Sequence, residues 1–273
     1  MTSLQAGATR PLALITGASA GIGAAFARGY ARRGHDLALV ARRADRLEAL
    51  AADLSREHDV DAFAVPADLA AFEAWRPILA AVEARGRTVD VLVNNAGFGI
   101  AQSFTGVPWE RQRDFLMILV VNACGLAYGV VPAMAARGSG AIVNVASLAG
   151  FAPGAPGHTL YPGAKSLAIK FSQALDAEYG AKGLRVTAVC PGFTLTEFAE
   201  VNGTQALMEQ APRRFFQTAD QVAEIAIAAN ARGQVVVVPG WHNKVAAALL
   251  HYLPESLVSF AVRRGAAKYH LES

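Results

Sequence analysis

The chain has 273 residues, of which 53% are hydrophobic and 17% charged, and its formal net charge is +3. This composition excludes a disordered chain and supplies a deep core, and the arginines, scattered in ones and twos, argue against a nucleic-acid partner. Cys124 and Cys190 lie far apart in apolar stretches. They make no disulfide framework and no metal site, and read as buried thiols. No apolar run is read as approaching the roughly 18 residues of a membrane span, and the apolar core at Leu12–Ile15 is too short for a signal peptide, so the expected location is cytoplasmic.

Leu12–Ile15 reads as a first strand, followed by a glycine turn and an alanine-rich helix from about Ile22 to Arg33. Asp36–Ala41 is a second strand, followed by a helix from Ala44 to about His58 with Leu47, Leu50 and Leu54 on one face. Ala62–Val65 is a third strand leading to Asp68. Phe72, Trp75, Ile78, Leu79 and Val82 then repeat at helical spacing, and Val89–Val93 is a fourth strand. Near-continuous apolar strands alternating with helices predict a parallel sheet covered on both faces.

The second half continues the alternation. A long helical region runs from Trp109 to about Arg137, with Gly125 or Gly129 as the expected break. Ala141–Ala146 is a fifth strand ending at Ser147, and a glycine- and proline-rich loop, Gly150–Gly157, opens the next helix. Leu184–Cys190 is a sixth strand, stopped by Pro191-Gly192. Thr218 with Gln221 fits a capping box for a helix through Asn230, and Gln234–Pro239 is a seventh strand. The prediction is an α/β, Rossmann-like doubly wound parallel sheet of about seven strands in a single domain spanning 1–273. Its core covers 10–240, and 241–273 forms a helical extension of two short helices divided by Pro254.

Thr16-Gly-Ala-Ser-Ala-Gly21-Ile-Gly23 stands between the first strand and helix, where a dinucleotide pyrophosphate would meet the helix N-terminus. The candidates there are Gly17, Ser19, Ala20, Gly21, Ile22 and Gly23. Where an NAD site usually places an acid at the end of strand two, this chain has Arg42-Arg43. Guanidinium groups suit the 2′-phosphate of NADP, and Arg42 is the favoured member of the pair.

Tyr161 and Lys165 are spaced i, i+4, one turn apart on a helix. A positive charge close to a phenol favours the phenolate and lowers a pKa that is ordinarily near ~10, so the pair suggests proton transfer.

With these pieces in order, the chain resembles the short-chain dehydrogenase/reductase family from about Pro11 to Val238. The resemblance rests on Thr16–Gly23, on Asn94-Asn-Ala-Gly97, and on Ser147, Tyr161 and Lys165, together with Asn122, Pro191-Gly192 and Thr196. It implies that Tyr161 is the general acid in carbonyl reduction. Lys165 lowers its pKa and holds the nicotinamide ribose, Ser147 binds the carbonyl oxygen, and Asn122 holds a water in a proton relay. It also implies that Asp68 contacts the adenine, with Ala67 and Leu69 flanking it, that Asn94, Ala96 and Gly97 border the cofactor, and that Pro191, Gly192, Thr194 and Thr196 form the nicotinamide turn.

The chain continues well past its seventh strand. A tail over that face would hinder a tetramer, so a homodimer through the helices of Asn122 and Tyr161 is expected. The tail's apolar residues and its Arg263 and Arg264 also fit a membrane surface. Packing on its own domain is the preferred reading. Phe193, Phe198, Leu207, Met208, Phe215 and Phe216 make the segment 193–216 a greasy substrate lid, which suggests a small or lipophilic carbonyl or alcohol substrate. Phe193, Phe198, Ser147 and His158 are the candidate substrate contacts. The leading reading is an NADP(H)-dependent oxidoreductase. An epimerase or dehydratase on a nucleotide sugar would need a larger substrate domain, and a non-catalytic NADPH-binding sensor would not need the proton donor.

Overall fold

A computed structural model describes residues 10–154, 156–157, 159–197, 213–254 and 256–260. In chain order the elements are β1 (Leu12–Thr16), α1 (Gly21–Ala31), β2 (Asp36–Ala41), α2 (Ala44–His58), β3 (Ala62–Pro66), α3 (Trp75–Glu83), β4 (Val91–Asn94), α4 (Trp109–Leu116) and α5 (Asn122–Ala136). They continue with β5 (Gly140–Val145), α6 (Tyr161–Tyr179), β6 (Leu184–Val189), β7 (Thr194–Leu195), β8 (Gln217–Thr218), α7 (Ala219–Ala231), β9 (Val236–Val237) and α8 (Trp241–Tyr252).

Seven strands form one parallel sheet in the order β3-β2-β1-β4-β5-β6-β9, as the alternating sequence predicts, and β7 and β8 make a separate two-residue pair. The central strands are apolar throughout because both faces are covered. On one face α1, α2 and α7 bury Phe26, Tyr30, Leu47 and Val222, and on the other α3, α5 and α6 bury Ile78, Leu126, Met134 and Leu175. The order in which strands are added reverses between β1 and β4, which are parallel neighbours. The loops leaving them open a crevice at their carboxyl ends, the place where such sheets bind ligands.

The long helix does not break at Gly125 or Gly129. It widens into a single π-helical turn at Met117–Val121, immediately before Asn122. The two glycines instead admit α3: a Cβ at Gly125 would lie 2.3 Å from Trp75 Cδ1, and one at Gly129 would lie 2.3 Å from Leu79 Cδ1. The expectation about apolar runs is also corrected. After Asp114 the sequence carries no charge until Arg137, and the helix 109–136 has the length and mean hydropathy, 2.0, of a membrane span. Its buried face, with Leu126, Val130 and Met134, packs on the sheet. The fourth strand begins two residues later than predicted; just before it, Asp90 bonds through its backbone to Leu12 and Ala141, and its side chain accepts from the Leu12 N–H at 2.8 Å.

The capping box at Thr218 and Gln221 forms as expected, with the two reciprocal bonds at 3.2 and 3.0 Å. The tail starts its first helix at Trp241 and has a second helical stretch at 256–260. Ala247 and Val258 face inward, while Trp241, Val245, Leu249, Tyr252, Leu257 and Phe260 remain exposed.

Candidate active site

Ser147 follows β5 in extended backbone and caps a 3-10 turn, Leu148–Phe151, its Oγ accepting from the Ala149 N–H at 3.1 Å. The next amide, that of Leu148, donates to the Pro191 carbonyl at 3.0 Å, so the serine's turn is tied to the turn after β6. Gly150 lets that 3-10 turn lie directly on α6, since a Cβ there would be 2.9 Å from the Lys165 carbonyl oxygen. This contact brings Ser147 to the first residue of α6, Tyr161, where its hydroxyl acts to lower the phenol's pKa.

Lys165 lies one turn along α6, buried, with Nζ donating to the Val145 carbonyl at 2.8 Å and lying 5.6 Å from the Tyr161 ring centroid. Burial disfavours its charge and pulls its pKa from the ordinary 10.5 down to about 8. Burial acts on Tyr161 in the opposite direction. The phenol is held above its ordinary value, with the Ser147 hydrogen bond as the opposing influence. The sequence reading had Lys165 lowering the tyrosine's pKa. In this ligand-free geometry the ammonium bonds to a backbone carbonyl instead, and desolvation of the phenolate dominates.

Asn122 is fully buried, and its side chain is committed elsewhere. Nδ2 donates to the carbonyls of Leu69 and Ala71 at 2.8 and 2.9 Å, and Oδ1 accepts from the Trp75 N–H at 3.2 Å. The amide thus braces the 69–75 segment and is not turned toward Tyr161. Asp68 is exposed, its Oδ1 accepting from the Ala70 N–H at 3.0 Å, and Leu69 is buried.

The glycine turn is held by two side chains. Thr16 Oγ1 accepts from the Asn95 and Ala96 amides at 2.9 and 3.0 Å, and Asn95 Nδ2 donates to the carbonyls of Thr16 and Gly17 at 2.9 and 3.3 Å. A Cβ at Gly23 would lie 2.2 Å from the Gly17 oxygen, so close packing requires the glycine. Asn95 escaped the sequence reading although it sits inside the Asn94–Gly97 motif, because the pattern does not say which asparagine points back. Asn94 instead donates from Nδ2 to Asn144 Oδ1 at 3.0 Å. Its own Oδ1 is buried without a partner, beside a small cavity that Thr16, Ala96, Asn144 and Lys165 also line. Gly97 packs on Leu119.

The residues present fit a phosphorylated dinucleotide. No side chain caps α1 at Ala20, and its first turn carries no acid, which leaves a helix N-terminus suited to an anion. Arg43 Nη2 lies 3.1 Å from Ser19 Oγ. Arg43, at the N-cap of α2, is the one held against the glycine turn, and both Arg42 and Arg43 are exposed. Glu197 pairs with Arg43 and with Arg46, at 3.4 and 3.0 Å. Thr196 lies against Gly21, and Thr194 Oγ1 donates to the Gly192 carbonyl at 3.2 Å.

On the substrate side, Phe193 stacks on Phe216 with centroids 5.6 Å apart. His158, Phe198, Leu207 and Met208 lie outside the described residues. Tyr161 borders an apolar shelf that the sequence reading missed. Phe115 meets its ring at 6.4 Å, Phe98 packs edge-on against Phe115, and Ile100 and Leu160 complete the group. The loop carrying Phe98 and Ile100 has no motif to announce it.

An open parallel sheet with a glycine turn at its switch point and a serine, tyrosine and lysine beside the crevice defines a dinucleotide-binding oxidoreductase class. The family model for short chain dehydrogenases matches residues 11–206, and the chain belongs to the short-chain dehydrogenase/reductase family. An uncharacterized oxidoreductase of Myxococcus xanthus is 32% identical over 252 residues, which are 92% of this chain and 96% of that protein. Among solved structures, a short-chain dehydrogenase from Sphingobium yanoikuyae in complex with NADPH is 34% identical with a TM-score of 0.76, covering 90% of this chain and 97% of that one. A bulky-bulky ketone specific alcohol dehydrogenase from Comamonas testosteroni is 31% identical with a TM-score of 0.72, over 97% and 96% of the two chains.

Proposed function

We propose that the protein is an NADP(H)-dependent oxidoreductase that interconverts a carbonyl and a secondary alcohol on a small or lipophilic substrate, with Tyr161 as general acid and base. The observation that carries this reading is the convergence of Ser147 and the buried Lys165 on Tyr161. When bound, NADPH supplies the hydride.

The chain's own residues do the rest. Ser147 donates a hydrogen bond to the carbonyl oxygen and stabilises the charge that develops there. Tyr161 transfers its phenolic proton to the same oxygen, and burial keeps that proton in place at neutral pH, as an acid requires. In the oxidative direction the phenolate must form against that burial, and Lys165 is the cation available to support it. Arg43, with Arg42 and Arg46 beside it, takes the 2′-phosphate, and the N-terminus of α1 takes the pyrophosphate. Asn122 contributes by bracing the 69–75 segment. The apolar packing of Phe98 and Phe115 beneath Leu160 and Tyr161, together with the exposed Phe193, suits a lipophilic substrate, in keeping with the bulky ketones named for the Comamonas relative.

A homodimer through α5 and α6 is part of the same reading, since Val121 at the start of α5, Tyr128 and Leu167 are exposed apolar residues on these helices. A panel of ketones and alcohols followed by NADPH absorbance tests the activity. Turnover of at least one lipophilic pair is expected, and cofactor binding with no turnover across the panel would favour a sensor.

A further inference from the structure

The first turn of α8, beyond the last strand, holds the segment that leaves the site after β6 and the segment that returns to it before α7. Asn243 is 5% exposed, and its Nδ2 donates to Gln217 Oε1 at 3.2 Å and to the Pro239 carbonyl at 2.8 Å. Its Oδ1 lies against Gly192, where a Cβ would be 2.4 Å away. Gln217 donates its backbone N–H to the Phe193 carbonyl at 3.0 Å and pairs in register with Thr194. Next to Asn243, His242 Nε2 lies 3.2 Å from the Phe215 carbonyl, with the two rings 5.4 Å apart. Gly240, at φ +83°, makes the turn that sets these side chains against Gln217.

We propose that Asn243 is the positioning residue for the turn Pro191–Thr194. It contacts Gly192 directly and holds Phe193 and Thr194 through Gln217, so the C-terminal extension sets the geometry of the nicotinamide side of the site. The inference rests on the reading of Pro191–Thr194 as part of the cofactor site. Asn243 touches neither cofactor nor substrate. Both donors of its amide are spent inside the protein, and removing it leaves the buried Gln217 and Pro239 oxygens short of a donor. The turn then loses its fixed position, while on the adenosine side α1 and the Arg43–Ser19 contact stay in place, Glu197 with its exposed pairs to Arg43 and Arg46 being the link between the two.

The test compares two ligands that share the adenosine end. NADPH and adenosine 2′,5′-bisphosphate are titrated against wild type, Asn243→Ala, Gln217→Ala and the double variant, with melting temperatures measured in parallel. Losing these hydrogen bonds should weaken NADPH about tenfold in each single variant and leave the bisphosphate within about twofold of wild type. The double variant should be no worse than the poorer single variant, because both act through one contact. Gln217→Ala alone decides the matter should Asn243→Ala fail to fold. Equal weakening of both ligands, or an unchanged NADPH affinity, overturns the proposal and leaves the proposed activity standing. A wild type that does not bind NADPH overturns both.

Discussion

Lys165 Nζ donates at 2.8 Å to the carbonyl of Val145, the last residue of β5 and two residues before Ser147. One strand end therefore positions the serine through its own backbone and the lysine through a hydrogen bond. Tyr161 lies on α6 beside both, its ring centroid 5.6 Å from the ammonium.

This arrangement makes Tyr161 the proton donor and Ser147 its aligning partner. Tyr161→Phe should lower the rate of carbonyl reduction by about three orders of magnitude, and Ser147→Ala by about two, with NADPH affinity near wild type in both. Single-turnover NADPH oxidation gives the rates, and a Tyr161→Phe enzyme of near wild-type rate would sink the mechanism.

The pKa of Lys165 implies a pH-dependent stability. Its folded value of about 8 lies below its ordinary 10.5, so between these values the unfolded chain binds more protons than the folded one, and stability from this group rises with pH. The cost of burying the charged form is fully present below pH 8 and is relieved as pH approaches 10.5. Lys165→Met removes that dependence. The melting temperature of the variant minus that of wild type should therefore fall steadily from pH 8 to 10, and a flat difference would contradict the burial argument.

Glu197 occupies guanidinium groups that the 2′-phosphate would use. Arg43→Ala should weaken NADPH by about ten- to a hundredfold while changing NADH little, because a charge-assisted hydrogen bond is lost for NADPH alone. Glu197→Gln should tighten NADPH by about two- to fivefold, the modest size reflecting an exposed ion pair in water. Isothermal titration of both variants checks the pair, and equal losses for NADPH and NADH in Arg43→Ala would remove the NADP assignment.

Gly125 offers a test of the fold alone. A side chain there meets Trp75 within 2.3 Å of its Cβ, on the α3 face of α5. Gly125→Val should destabilise the protein by about 1–3 kcal/mol through overpacking, read as a lower urea midpoint with an unchanged slope.

The proposed dimer is checked by light scattering on a sizing column. Tyr128→Glu, which puts a charge in the exposed face of α5, should shift a dimer toward monomer, and a tetramer in the wild type would contradict the α5–α6 assignment.

The sequence by itself determined the sheet, because a strand buried on both sides must be apolar along its whole length and a helix must show its period. Leu12–Thr16, Asp36–Ala41 and Leu184–Val189 were legible for that reason, and so were the capping box at Thr218 and the spacing of Tyr161 and Lys165. What the tertiary structure decided is where side chains point once elements pack. It turned Asn122 toward Leu69 and Ala71, put Arg43 beside Ser19, made Asn95 the holder of the glycine turn, and put Asn243 against Gly192. Each of these is a contact between residues distant in sequence, with no local periodicity to mark it. Phe98 and Phe115, the shelf beside Tyr161, came into view for the same reason: an apolar residue in a loop becomes part of a site when another element brings it there.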